Sequence, residues 1–288
     1  MKIGVAEAIG DEIDSSHDPK RPTMNLFSLR NSALACALAS GCILVAQTPV
    51  VTPATAPIRV AVYEDEGSET AAAFFDQTVG IDKAHFKLTH VNAADIRNGV
   101  LKNYDVVIQG GGGSIAQAKS LQPVGRDAIR EFVRNGGGYL GVCAGAYLAA
   151  SDKDYQLGLI NARVIDREHW ARGRGNVVLD FSSIGQQELK FPQPKATVLY
   201  HQGPLLEPDG KSDLPAYTPV ALFETEVAEK GAPHGVMQGT TAMASANFGK
   251  GRVFVISPHP EQTPGLDGLV RQAVAWAANR DVPVAVTK

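Results

Sequence analysis

From Ile58 onward the chain alternates short apolar runs with segments of mixed polarity. Ile58–Tyr63 (IRVAVY) is apolar and β-branched and ends at Glu64-Asp65-Glu66-Gly67, the pattern of a buried strand stopped by a polar turn. Ser68 then reads as the cap of a helix running to about Gln77, with Glu69 in its first turn. Phe86–Val91 predicts a second strand, Ala93–Asn98 a short helix, and Asp105–Gln109 a third strand halted by Gly110-Gly111-Gly112-Gly113. Val124–Arg134 is amphipathic, with Ile129, Phe132 and Val133 on one face, and stops at Asn135-Gly136. Gly137–Val142 predicts a fourth strand, and Gly145–Ala150 begins a helix. Strands alternating with helices over short connections predict an α/β domain whose mostly parallel sheet is covered on both faces.

The pattern then changes. Leu159–Ile165, Asn176–Phe181, Thr197–Tyr200, Val220–Phe223, Ala242–Ala246 and Val253–Ile256 read as strands, mostly without helices between them. This half is expected to be β-rich, with antiparallel excursions. Leu266–Ala278 closes the chain as a helix.

The segment before Ile58 reads differently. Residues 1–23 are polar and unpatterned, with acids at Asp11, Glu12 and Asp14. Met24 opens a new stretch in which Arg30 precedes an apolar run, Ala33–Ala46, of about 14 residues. That is short for a bilayer span and suits the apolar core of a secretory signal. The acidic leader does not suit one, so translation is expected to start at Met24, with cleavage after Ala39 or Ala46 and an exported product. The alternatives are a lipid anchor at Cys42, a retained anchor, or a cytosolic protein. Against the lipid anchor stand the apolar residues Ile43-Leu44-Val45 beyond Cys42. Residues 47–57 (QTPVVTPATAP) form a Pro/Thr/Ala linker that stays extended. The expected organisation is a leader and signal over 1–46, a linker over 47–57, and one domain over 58–288.

Composition narrows the function classes. The chain has 288 residues, 44% hydrophobic and 20% charged, enough to bury a core of ordinary size. A formal net charge of −3 lacks the basic surplus of a nucleic-acid binder. Of its three cysteines, Cys36 and Cys42 fall in the signal region, which leaves Cys143 alone in the domain. A lone thiol is ordinarily a buried core residue, but the context of this one is particular. An apolar strand runs directly into Cys143, with small residues at Gly141, Ala144, Gly145 and Ala146, and a helix follows. This is the shape of a nucleophile elbow, G-x-C-x-G. A side chain held at a sharp strand-to-helix turn needs small neighbours, and the helix N-terminus favours thiolate over thiol.

A thiolate that attacks a carbonyl needs an imidazole and an oxyanion hole. Of seven histidines, His259 stands out, because Ser257-Pro258-His259-Pro260-Glu261 follows the strand-like run Val253–Ile256. Ligands of open α/β sheets bind beyond strand C-termini, the edge where Cys143 also falls. In an extended segment, residues two apart point the same way, so Glu261 is expected to orient His259 toward Cys143. The oxyanion hole is expected from the backbone N–H of Ala144 and one from the glycine run, at Gly111 or Gly112. That run fails the Walker and G-x-G-x-x-G patterns, because Ser114-Ile115-Ala116 follows it. Candidate substrate contacts are Glu64 and its neighbours after the first strand, Tyr147, His169-Trp170, and His201 and Gln202. No tetrahedral metal spacing appears, and no cofactor is expected.

These residues resemble the class I glutamine amidotransferase-like superfamily. Within it they are most similar to the domain at the N-terminus of biotin–protein ligases, which also occurs as stand-alone bacterial proteins. Tyr104–Gly112, Gly125-Arg126 with Ile129–Val133, Gly136–Tyr147 and Tyr200-His201-Gln202-Gly203-Pro204 carry the resemblance. It implies a flavodoxin-like three-layer α/β fold and a Cys-His-Glu triad at Cys143, His259 and Glu261. Departures stand beside it. Ala146-Tyr147 follow the elbow where glutaminase sites often have Gln or Met, and Tyr147 is expected to reshape the glutamine pocket. No biotin-ligase catalytic domain is present in this chain, and Arg172-Gly173-Arg174-Gly175 is read as a turn rather than a biotinyl-AMP loop. The leading expectation is an exported thiol-dependent amidase or hydrolase acting on a small-molecule or peptide amide, with no nucleic-acid partner. The alternatives are a non-catalytic ligand- or protein-binding module on the same scaffold, and the related protease and chaperone group, whose elbow cysteine usually precedes a histidine where Ala144 stands here. The residues mark neither a particular substrate nor an oligomeric state.

Overall fold

A computed structural model describes residues 56–284. The Met24 start, the signal segment with Cys36 and Cys42, and linker residues 47–55 lie outside the described residues. The first half runs β1 (Ile58–Tyr63), α1 (Ala71–Thr78), β2 (Phe86–Val91), α2 (Ala93–Arg97), β3 (Val106–Gln109), α3 (Ser114–Arg134), β4 (Gly138–Val142) and α4 (Ala144–Ala149). The second half adds β5 (Ala162–Ile165), β6 (Arg174–Phe181), α5 (Ser183–Glu188), β7 (Lys195–His201) and β8 (Leu205–Pro208). It closes with β9 (Thr218–Phe223), β10 (Thr241–Phe248), β11 (Gly251–Ile256) and α6 (Asp267–Ala277).

The strands form one 11-stranded sheet whose main path is β2-β1-β3-β4-β11-β10-β9-β6-β7, with β8 pairing β10 and β5. Pairs from β2 to β11 are parallel. Pairs from β11 to β7, and those of β8, are antiparallel. The expected mostly parallel sheet is therefore corrected to a mixed one. Parallel neighbours need a long crossover, which the helical segments of the first half supply. One link of the second half is too short for that. Phe248 pairs Gly251, so only Gly249-Lys250 separate β10 from β11, and such a link permits antiparallel pairing alone.

Four local differences have physical reasons. Helix α1 begins at Ala71 without a side-chain cap, because the Ser68 hydroxyl donates to the Gly111 carbonyl instead (3.2 Å). Helix α3 begins at Ser114, ten residues before the amphipathic stretch, and is interrupted at Gln122 (φ 57°, ψ 174°) ahead of Pro123. A proline disfavours helical backbone at the residue before it, and this break hid the first two turns from the sequence pattern. Only Ala162–Ile165 of the run from Leu159 is strand, and the short elements α5 and β8 had no periodicity to reveal them. Arg172 and Gly173 precede β6, while Arg174 and Gly175 open it, so the expected turn covers only half of that motif.

The central strands are buried on both faces, and their alternation sorts two cores. Val60, Val62, Val106 and Ile108 face a core shared with Phe75 of α1 and Leu269 and Val270 of α6. Ala61, Tyr63, Val107 and Tyr139 face Leu121 and Ile129 of α3 and Ala146 and Leu148 of α4. Burying an apolar side chain of this size contributes about 1.5–3 kcal/mol, so the parallel half is the firm part on which the strand-end loops are mounted. Among the described residues, no helix is long and apolar enough to cross a membrane.

Candidate active site

The register of β4 and β11 sets the site. Val142 pairs Ile256, so the chain leaves the sheet at Cys143 and at Ser257 side by side. The amide of Cys143 donates to the Ile256 carbonyl (2.8 Å), which ties the elbow to β11. Cys143 has φ 52° and ψ −102°, in the left-handed half of the map, and is buried. A non-glycine residue held there costs about 1–3 kcal/mol and persists only where its surroundings impose it. Here the Tyr147 amide donates to the Cys143 carbonyl (3.0 Å) and the Tyr139 hydroxyl to the Gly145 carbonyl (2.8 Å). Gly145 is required by space, since a Cβ there would lie 2.0 Å from the Gln109 carbonyl oxygen.

His259 follows β11 by way of Ser257 and Pro258. Its amide donates to the Leu199 carbonyl (2.7 Å), and the Thr263 hydroxyl both donates to the His259 carbonyl (2.8 Å) and accepts from the Leu199 amide (3.0 Å). This clamp joins the end of β7 to the segment after β11. Nδ1 of His259 lies 2.7 Å from Oε1 of Glu261, and the two side chains are 5% and 3% exposed. The pairing does not come from an extended segment, as the spacing suggested. Pro260–Gln262 is a 3-10 turn, which folds Glu261 back under the ring. Gln262, absent from the sequence-based set, donates to Glu261 Oε1 (3.2 Å) and places its amide nitrogen 3.1 Å from the same Nδ1.

Cys143 adjoins the ring, and the same point beside Gly111 lies close to both. Burial alone would lower the basicity of His259, but the adjoining Cys143 and the Glu261 carboxylate outweigh it and push the imidazole up to about 10. Nε2 is buried and makes no well-directed hydrogen bond among the described residues. Cys143 Sγ also approaches the His201 carbonyl oxygen at 3.6 Å. The His201 ring sits 6.4 Å from that of His259, centroid to centroid. Burial and the His259 charge lower its basicity, so it stands as a neutral imidazole at pH 7.

Cys143 and His259 open into a cleft of about 630 Å³. The structure brings Gly111, Gly112, Tyr147, His201 and Gln202 to its walls, with Trp170. A Cβ at Gly111 would lie 3.1 Å from Cε1 of His259 and 3.8 Å from Cβ of Cys143, so the glycine backbone runs against the pair. Among the described residues, the N–H groups of Gly111 and Gly112 have no backbone acceptor. Glu64 is not brought to the cleft. Its carboxylate pairs with His90 Nδ1 (2.8 Å), and Asp65 accepts from the Ala93 amide (2.9 Å), so the acids after β1 fasten the strand ends. His169 is bound to Asp166 (2.6 Å) instead of facing the cleft. Phe74, Ile115, Tyr155, Arg167 and Gln262 also line it and went unread. Gln262 follows the His-x-Glu string directly, whereas the others converge from separate elements and leave no local signal. Among the described residues, no group of His, Cys, Asp and Glu is placed to hold a metal ion.

With this geometry in place, comparison with known proteins becomes informative. Residues 58–173 match the family described as biotin-protein ligase, N terminal. The resemblance read from the elbow and its flanking segments is therefore found independently. The span matched to this biotin-protein ligase N-terminal family carries Cys143 and the glycine run, and it ends before His201, His259 and Glu261. Among solved structures, a putative thua-like protein from Bacteroides uniformis ATCC 8492 is 16% identical at a TM-score of 0.51, covering 79% of this chain and 94% of its own. A putative thua-like protein from Parabacteroides merdae ATCC 43184 is 14% identical at a TM-score of 0.50, covering 81% and 93%. A cytoplasmic protein from Salmonella typhimurium LT2 is 12% identical at 0.50, covering 76% and 98%. At these identities the likeness concerns the α/β fold alone. No curated protein matches the chain.

Proposed function

We propose that this protein is a thiol-dependent amidohydrolase of the class I glutamine amidotransferase-like type. The observation that carries the reading is the strained Cys143 elbow set against an imidazole that is buried, braced by Glu261 and raised to about 10. The parallel strands follow the order 2-1-3-4-5 of flavodoxin-like sheets, counting β11 as the fifth, which supports the finer fold assignment.

In this reading the Cys143 proton passes to His259, and Sγ attacks the amide carbonyl carbon. The backbone N–H groups of Ala144 and of Gly111 or Gly112 receive the developing oxyanion. The C–N bond then breaks, His259 protonates the departing amine, and a thioester on Cys143 remains. Water gives a proton to His259 and its oxygen to the acyl carbon, which releases the acid and restores the thiol. Glu261 holds the ring orientation and favours its charged form. The substrate is a small-molecule or peptide amide. The reading keeps the exported location expected from residues 24–46, which fractionation of cells producing the full chain tests.

One observation favours the alternative of a binding module. The 3.6 Å approach of Sγ to the His201 carbonyl is a contact that a neutral thiol makes. Turnover of an amide panel separates the two readings. An amidohydrolase loses activity by at least about 10³-fold in Cys143→Ala, the scale of a removed nucleophile. A binding module turns over nothing in either form.

A further inference from the structure

Two large apolar side chains of this protein are exposed on the cleft. Trp170 is 54% and Ile115 53% exposed, and both line the cleft that holds Cys143. Phe74, Tyr147 and Tyr155 line the same cleft. An exposed tryptophan is common enough singly, but this one is displayed from a segment that is fastened before and after it. Arg167 binds the Asp152 carboxylate through Nη2 (2.8 and 2.7 Å) and Nε (3.1 Å). On the other side Arg172, only 1% exposed, pairs with Asp166, and His169 holds the second oxygen of that carboxylate (2.6 Å). Asp166 itself takes a left-handed conformation, φ 48°. A buried arginine is costly to desolvate. Here it fixes a turn whose next large side chain is left in water. Exposed apolar side chains lining a cleft mark a ligand contact.

Resting on the amidohydrolase reading, we propose that the cleft selects amides bearing an aromatic group, which stacks against Trp170 and Tyr155 while the amide lies at Cys143. The charged groups of the wall fit such a ligand. Arg167 is already engaged by Asp152, and Glu69 accepts from the Gly67 amide (3.0 Å). Ring-on-ring contacts of this kind add to what burial alone gives. Together with the buried ring area, that predicts a preference of roughly ten-fold or more.

The test uses two haloacetamides, N-benzyl and N-methyl chloroacetamide, each rate taken relative to the same reagent's rate with free cysteine, on the full chain, with modification of Cys143 followed by peptide mass spectrometry. The proposal expects the benzyl reagent to react at least about ten-fold faster, and the ratio of the two rates to fall toward one in Trp170→Ala. Equal rates for the two reagents in the unsubstituted protein overturn it. The iodoacetamide rate relative to free cysteine tests the amidohydrolase reading separately, because a sluggish thiol still reports the benzyl-to-methyl ratio. If Cys143 reacts with neither reagent, saturation-transfer NMR of N-acetylphenylalaninamide on Cys143→Ser reads binding directly. A signal that Trp170→Ala abolishes supports the proposal, and no signal overturns it.

Discussion

Nδ1 of His259 stands 2.7 Å from Oε1 of Glu261, and both side chains are almost wholly withdrawn from solvent. A carboxylate kept so close in a water-poor setting has one main effect, which is to hold a proton on the imidazole. The adjoining Cys143 raises the ring's basicity at least as much, and together they overcome the opposing effect of burial. His259 is thus raised from the ordinary 6.5 to about 10.

That shift fixes a stability signature. A histidine raised on folding contributes stability that is fully present below its unfolded value, near 6.5, and lost as pH rises through about 10. Glu261→Gln removes part of the raise. It is expected to cost about 1–3 kcal/mol at pH 6, the scale of a lost buried charged hydrogen bond, and clearly less at pH 10. Urea unfolding of both proteins at the two pH values checks this. An equal loss at both contradicts the assignment.

The Thr263 hydroxyl joins the His259 carbonyl to the Leu199 amide. Thr263→Val keeps the shape and removes both bonds. We expect a loss of about 1–2 kcal/mol and slower alkylation of Cys143, because the end of β7 no longer anchors the histidine backbone. Unchanged alkylation would show that the clamp serves stability alone.

Glycine substitutions separate fold from site. Gly111→Ala brings a Cβ to 3.1 Å from the His259 ring, a contact the ring relieves by shifting a few tenths of an ångström. The fold is expected to keep its stability within about 1 kcal/mol, while alkylation of Cys143 slows by roughly ten-fold, since small misplacements of reacting groups are expensive. Gly145→Ala instead meets the Gln109 carbonyl at 2.0 Å and is expected to prevent the native elbow from forming. Circular dichroism and thermal melting distinguish the two outcomes.

Much of this was legible beforehand where sequence acts locally. β1 and β2 were read to the residue, because short apolar runs between polar turns admit one interpretation. The elbow was visible because a thiol at a strand-to-helix turn demands small neighbours. His259 and Glu261 were paired for a reason the structure replaces: their approach comes from the turn at Pro260–Gln262, which the prolines at 258 and 260 disguised as extended chain. The two-residue link between β10 and β11 dictates antiparallel pairing, whereas the longer links of the second half carry no local sign of strand direction. Glu64 was drawn into the site by its place after a strand, yet His90 from the neighbouring β2 engages it. Arg167 stands in the same short turn as Trp170, but Tyr155 and Phe74 reach the cleft from two other segments, which leaves no local signal.

The central claim is that His259 activates Cys143. Its most direct measurement is the iodoacetamide alkylation rate of Cys143 at pH 7, in the full chain and in His259→Ala, followed at the Cys143 peptide. The account predicts a rate well above that of free cysteine in the unsubstituted protein and a fall to the free-cysteine level in His259→Ala. A Cys143 that reacts no faster than free cysteine, or one whose rate is indifferent to His259, contradicts it.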